Sequence, residues 1–167
     1  MTYIFQVNNP ETFNCRFGQK ALPDNNNHIY RILDANLNRL REALRVIEEY
    51  YRFMDEREDA CVALKEMRHT LVQIEDILGK KLLLGNRDTT TDCFAGSTRP
   101  EELARAGIHG LLCANFKRGQ EATRVIEEYS KIVAAPAGTV PAKAKQMRFA
   151  LYNLEKKLAT GTTYETP

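Results

Sequence analysis

Asn36, Arg39, Glu42 and Glu49 recur seventy-nine residues later as Asn115, Arg118, Glu121 and Glu128. At about 100° per residue, an amide, a guanidinium and carboxylates at such spacings fall close together on one helix side. The guanidinium fork matches phosphate oxygens two at a time. The amide can orient a ligand, and the carboxylates can meet a metal ion or an acceptor. Arg68 and Glu75, seven residues apart, return as Arg148 and Glu155. One polar set occurs once: GNRDTTTDCFAGS, residues 85–97, carries Arg87, Asp88, three threonines and Asp92. Together these residues suit the binding of a phosphorylated anion.

The elements that must carry them are duplicated. ANLNRLREALRVIEEY at 35–50 and ANFKRGQEATRVIEEY at 114–129 share eleven of sixteen positions. Lys65, Met67, Arg68, Leu71, Glu75 and Leu78 recur as Lys145, Met147, Arg148, Leu151, Glu155 and Leu158, now offset by 80. Self-similarity of this length marks a repeated supersecondary unit. In its first segment Ile32, Ala43, Val46, Ile47 and Tyr50 share a helical face, and in its second Leu64, Met67, Leu71, Ile74 and Leu78 do so. Gly79 and Gly85 read as stop and turn signals, Pro136 and Pro141 bracket the corresponding linker, and Pro141 suits a first helical turn. Ser97 or Thr98, before Pro100 and two glutamates, reads as the start of a short extra helix.

The expected fold is all-α: a duplicated helical hairpin forming a four-helix-type bundle with pseudo-twofold symmetry. The helical domain spans 28–167, with repeat one at about 30–79, the Arg-Asp loop at 80–98 and repeat two at about 107–159. Residues 1–27 form an N-terminal extension, with one short strand expected at Tyr3–Val7.

On the helical wheel Asn36 and Arg39 fall inside the apolar sector, flanked by Glu42 and Glu49. Burying a guanidinium costs several kcal/mol unless it is paired. Either Arg39 pairs with a glutamate across the interface, or these groups line a cleft for an anionic ligand; the whole set favours the cleft. Arg45, Glu48, Arg124 and Glu127 read as solvated charges with pairing worth tenths of a kcal/mol. The second copy departs in two ways. Gly119 and Thr123 replace Leu40 and Leu44, pointing to close packing or a bound ligand, and Cys113 replaces Asp34. A loop present once would make two pseudo-symmetric clefts inequivalent, as an enzyme with a donor and an acceptor needs.

Composition excludes more than it identifies. The chain has 167 residues, 43% hydrophobic and 28% charged, with a formal net charge of +2, so no basic face announces nucleic acid. No apolar run approaches the roughly 20 residues that span a bilayer, and the N-terminus does not read as a signal peptide. Cys15, Cys61, Cys93 and Cys113 lack metal-ligand or redox spacing and read as reduced core thiols of a cytoplasmic protein. His28, His69 and His109 are equally dispersed, and no zinc site is expected. Leu37, Leu44 and Val72 look like a leftover apolar stripe that would suit a homodimer.

DANLNRLREALRVIEEYYRF at 34–53, the Lys65–Met67–Arg68 helix, the RDTTTD loop and ANFKRGQEATRVIEEYSK at 114–131 together resemble one family. It is the alternative, all-helical hydroxymethylpyrimidine-phosphate kinase of thiamine biosynthesis, found alone or fused to thiamine-phosphate synthase. The similarity covers roughly residues 28–158. It implies ATP-dependent phosphorylation, with Mg²⁺, of 4-amino-5-hydroxymethyl-2-methylpyrimidine phosphate to its diphosphate, and a functional link to the synthase.

No Walker loop and no protein-kinase signature accompanies that resemblance. Phosphoryl transfer asks chiefly for positioning and charge neutralisation, which side chains alone can give. Arg39, Arg118, Arg87, Arg68 and Arg148 are the candidate phosphate ligands, with Asn36 and Asn115 as orienting amides. Glu42, Glu121 and Asp88 are the candidates for metal or acceptor contacts. Two other readings compete: a non-catalytic module that binds a phosphorylated pyrimidine or docks on the synthase, and a structural bundle whose polar interior pairs with itself.

Overall fold

The computed structural model describes residues 26–94, 96, 103–133 and 138–160. They form α1 (Asn26–Phe53), α2 (Glu58–Leu78), α3 (Lys80–Gly85), α4 (Gly107–Val133) and α5 (Thr139–Thr160), and no strand occurs among them. The expected strand at Tyr3–Val7 lies outside the described residues.

Helix boundaries follow local chemistry. Gly79 ends α2 with φ +89°, a conformation that side-chain-bearing residues rarely adopt, and its N–H closes the last turn on the Glu75 carbonyl at 2.9 Å. Pro141 stands in the first turn of α5, where its missing N–H costs nothing. The short extra helix expected from Ser97 or Thr98 falls on residues 97–102, outside the described residues; residues 103–106 are not helical. A short helix not expected from the sequence, α3, stands at the beginning of the segment expected to be loop.

Side-chain contacts fix the helix directions. Arg68 on α2 meets Glu48 on α1 at 2.7 Å, and Glu75, further along α2, meets Arg41, earlier on α1. Contacts advance on one helix as they retreat on the other, so α1 and α2 are antiparallel. Arg148 with Glu127 at 2.7 Å and Gln120 with Glu155 at 2.6 Å orient α4 and α5 likewise. Lys143 donates to Gln73 at 2.8 Å and Lys157 lies 3.8 Å from Asp59, so α2 and α5 are antiparallel too. Around the bundle the order is α1, α2, α5, α4, closed by an extensive α1/α4 seam. The start of α4 therefore lies at the opposite end of the bundle from the end of α2, and diagonally across from it.

The core is one continuous apolar cluster. Leu33, Leu37, Leu40, Leu44, Ile47 and Tyr51 from α1 meet Leu64, Leu71 and Ile74 from α2, Leu112, Phe116 and Ile126 from α4, and Val140 and Leu151 from α5. Leu37 and Leu44 are fully buried, leaving Val72 as the exposed member of the stripe read as a dimer face. The reason is the α1/α4 seam, which covers a second side of α1. At the centre of that seam Leu40 faces its own repeat equivalent. A Cβ on Gly119 would stand 3.7 Å from Leu40 Cδ1 and 3.1 Å from Leu151 Cδ1, so close packing explains this glycine. Buried Thr123 donates its hydroxyl to the Gly119 and Gln120 carbonyls at 3.0 and 2.8 Å.

Candidate functional site

Asn36 and Asn115 each turn their amide N–H back onto their own helix, to the Ile32 and Leu111 carbonyls, both at 2.8 Å. Neither amide oxygen takes a hydrogen bond among the described residues. Beside Asn36, along the α1/α4 seam, runs a groove of about 390 Å³ lined by Asn36, Arg39, Lys117, Arg118, Glu121 and Val125. It gathers three cations and one carboxylate. Four of the expected site residues meet here: Asn36, Arg39, Arg118 and Glu121.

Arg39 was expected inside the apolar sector, yet it is exposed, as are Arg118, Glu42 and Glu121. The buried stripe of α1 runs through residues 33, 36, 37, 40, 43, 44, 47 and 51, leaving Arg39 on the rim of the seam. Neither Arg39 nor Arg118 makes an ion pair or a hydrogen bond among the described residues. Pairing across the interface, the structural alternative for Arg39, is absent there.

That alternative holds elsewhere. Arg68 donates to both Glu48 oxygens, at 3.1 and 2.7 Å, and Arg148 to Glu127 at 2.7 Å. Glu48 and Glu127 were expected as solvated surface charges; both are buried, because they receive these arginines between the helices of each hairpin. Burial raises the Glu127 pKa, but hydrogen bonds and charge from Arg148, then Arg124, outweigh it and hold the carboxyl below its usual range. Glu75 is engaged by Arg41, and Glu155 by Gln120 and Lys117. Arg68 and Arg148, two of the expected phosphate ligands, thus tie each hairpin together and stand apart from the seam groove.

The Arg-Asp loop docks on the first half of α1. Arg87 clamps Asp34 with Nε at 2.7 Å and Nη2 at 2.8 Å, and Arg31 reaches Asp88 through its carbonyl at 2.8 Å and its carboxylate at 3.5 Å. Arg31, Asp34, Asn38, Arg87, Asp88 and Asp92 line a second pocket of about 220 Å³. It flanks the seam groove along α1, since Ala35 of this pocket and Arg39 of the groove are one helical turn apart. Asp88, expected to make metal or acceptor contacts, organises the loop instead. Its carboxylate takes both the hydroxyl and the N–H of Thr90 and of Thr91, which holds its pKa well below the usual carboxylate range.

Asp34 is the residue that sequence reasoning missed. Its signal was the break in the repeat: a carboxylate in one copy opposite a cysteine in the other, together with an arginine loop that also occurs once. Among the described residues the cysteines provide no rival site. Cys93 is exposed and Cys61 and Cys113 are only half-buried, so the described thiols are not core residues. No group of three acidic, histidine or cysteine side chains that could hold a metal occurs among the described residues. No described helix is long and apolar enough to cross a membrane.

Comparison with known proteins extends this picture. A family model described as the ThiD2 family matches residues 31–157. The thiamine-phosphate synthase of Parasynechococcus marenigrum is 40% identical over 135 residues, covering 81% of this chain and 37% of that protein. Those of Nostoc punctiforme and Thermosynechococcus vestitus are each 42% identical over 130 residues, covering 78% and 77% of this chain and 35% and 34% of theirs. The chain spans little more than a third of the length of these curated relatives. No solved structure matches it.

Proposed function

This chain belongs to the ThiD2 family, and on that premise we propose that it uses ATP to phosphorylate 4-amino-5-hydroxymethyl-2-methylpyrimidine phosphate to its diphosphate, in cytoplasmic thiamine biosynthesis. Arg39 and Arg118 carry the reading. They are repeat equivalents, both are exposed, both lack an internal partner among the described residues, and both line one groove. Two uncommitted guanidiniums with Lys117 beside them suit oxyanions that must be brought together against their own repulsion.

In this reaction an acceptor phosphate oxygen forms a bond to the γ-phosphorus as the bond to the β-bridging oxygen breaks, releasing ADP. The acceptor is a phosphate monoester, whose second pKa near 6 leaves it largely dianionic at neutral pH. No general base is therefore required, which agrees with an Asp88 fully engaged by its loop. Arg39, Arg118 and Lys117 neutralise the equatorial and bridging oxygens, and the Asn36 amide oxygen is left to accept from the pyrimidine's 4-amino group and so orient the acceptor. Mg²⁺ ordinarily keeps most of its shell from phosphates and water, with one or two carboxylates. The residues present fit that habit: Glu121 in the groove would contact the ion, which supplies further charge neutralisation when bound, whereas its repeat equivalent Glu42 lines the groove between α1 and α2. The names of the relatives support thiamine biosynthesis and a functional link to thiamine-phosphate synthase.

The test is coupled ADP release with Mg²⁺, ATP and the pyrimidine phosphate, with the free alcohol for comparison. Turnover with the phosphate is the expected result. Saturable binding of the phosphate without turnover would replace the kinase by a binding module.

A further inference from the structure

The outer faces of the two hairpins differ between α2 and α5. On α5, Phe149 and Tyr152 meet edge to face with centroids 6.0 Å apart. Their rings lie 5.3 and 6.0 Å from the Arg148 guanidinium. With the repeat offset of 80, the corresponding residues on α2 are His69, Val72 and Arg68. Where the second hairpin carries a phenol ring, the first carries an isopropyl group. The consequence is visible in the arginines: the Arg148 side chain is 15% exposed and that of Arg68 is 32%, although each makes the same 2.7 Å bond to its glutamate.

That difference opens a groove of about 590 Å³ between α1 and α2. Val46, Leu71 and Val72 give it apolar walls, Arg68 and His69 flank the space that a ring would fill, Arg41 and Arg45 bring cations to it, and Glu42 adds one carboxylate. The Arg41 and Arg45 side chains remain 43% and 49% exposed despite their ion pairs. An arginine face attracts an aromatic ring by dispersion and by the ring quadrupole, and the second hairpin shows that attraction satisfied from within the chain.

We infer that the α1/α2 groove binds a planar heteroaromatic ring bearing phosphate, seated against Arg68 as Tyr152 is seated against Arg148. Two molecules of that chemistry exist under the reading above, the adenine nucleotide and the pyrimidine phosphate, and the inference rests on that reading only for their identity. The groove would hold the ring of one of them, leaving the seam groove to handle phosphates.

Val72→Tyr rebuilds the second hairpin's ring in the first. Val72 is 45% exposed, so the larger side chain has room to fold, as a thermal melt would verify. Calorimetric titrations would use a non-hydrolysable ATP analogue, the pyrimidine phosphate and inorganic tripolyphosphate, against wild type, V72Y and the milder filler His69→Phe. The expected result is at least a ~10-fold weaker Kd in V72Y for one heteroaromatic phosphate, with tripolyphosphate unchanged. Loss confined to the nucleotide identifies adenine as the ring, and loss confined to the pyrimidine identifies the other substrate. If wild type binds both and V72Y binds both equally well, the groove inference is overturned and the kinase reading stands. Wild type that binds neither would sink both.

Discussion

Arg87 holds Asp34 with both arms of its guanidinium, at 2.7 and 2.8 Å, and the carboxylate it holds is the one that the second repeat lacks. A loop that occurs once is thereby anchored to a residue that occurs once. The pair adds a charged tie to one half that the other lacks, the kind of inequivalence that a donor and an acceptor would need.

Asp34→Cys, which copies the residue of the second repeat, should release the loop and lower kcat/KM. The Arg87 side chain is 44% exposed, so solvent screening limits the stability loss to about 1 kcal/mol. Activity should fall further than that, by ~10-fold or more, because the loop borders the seam groove and small misplacements of positioning groups are costly. Arg87→Lys keeps the charge but loses the fork, and should resemble D34C. Steady-state kinetics beside a thermal melt would check this. Equal losses in stability and activity would reduce the pair to a structural tie.

Acid should unfold the second hairpin's interior tie. Because Arg148 and Arg124 hold the Glu127 pKa below its usual 4.5, the carboxylate's contribution is complete above that unfolded value and is lost as pH falls through the lower folded value. Denaturant midpoints should therefore be flat in this respect from pH 7 to about 5 and decline below about 4.5. Glu127→Gln should lower stability at pH 7 by about 3 kcal/mol, since it strands a mostly buried Arg148, and should flatten the acid slope. A slope unchanged in E127Q would assign the acid response to other carboxylates.

Much of this architecture was legible in the sequence because duplication displays the helix pattern twice. Two copies of one periodic face define four helices, and Gly79 and Pro141 mark boundaries by backbone chemistry alone. What escaped was the side of each charge. A wheel centred on Ile32, Ala43 and Ile47 puts Arg39 inside the apolar sector and Glu48 outside it, whereas the fold reverses both. One helix pattern cannot tell which neighbours it meets. α1 is covered by α2 on one side and α4 on the other, and the arginine that buries Glu48 comes from α2, twenty residues away. What the loop does internally was equally hidden: Thr90 and Thr91, which the sequence offers as polar groups for a phosphate, hydrogen-bond the Asp88 carboxylate.

Gly119→Ala tests the seam. Helix propensity favours alanine by about 1 kcal/mol, but the new methyl would stand 3.1 Å from Leu151 Cδ1 in a fully buried place. Overpacking costs about 1–3 kcal/mol when neighbours are hemmed in, so a net loss near 1 kcal/mol is expected. A melting temperature above that of wild type would show that Leu151 can move aside, and that glycine there answers some need other than packing.

Arg39→Ala and Arg118→Ala separate binding from folding most cleanly. Both heads are exposed and uncommitted among the described residues, so truncation removes no internal bond and should leave the melting temperature within a degree or two. A charge-assisted hydrogen bond to phosphate contributes about 1.5–3 kcal/mol, so each variant should lose ~10- to 150-fold in kcat/KM. Lysine at either position should recover part of that loss, as a point charge without the fork. The two losses should also differ in kind. If the halves take different substrates, one variant raises KM for ATP and the other for the pyrimidine phosphate. Identical losses shared between both substrates would mean that the two guanidiniums act on the transferring phosphoryl group itself, and full activity in both variants would remove the seam groove from the reaction.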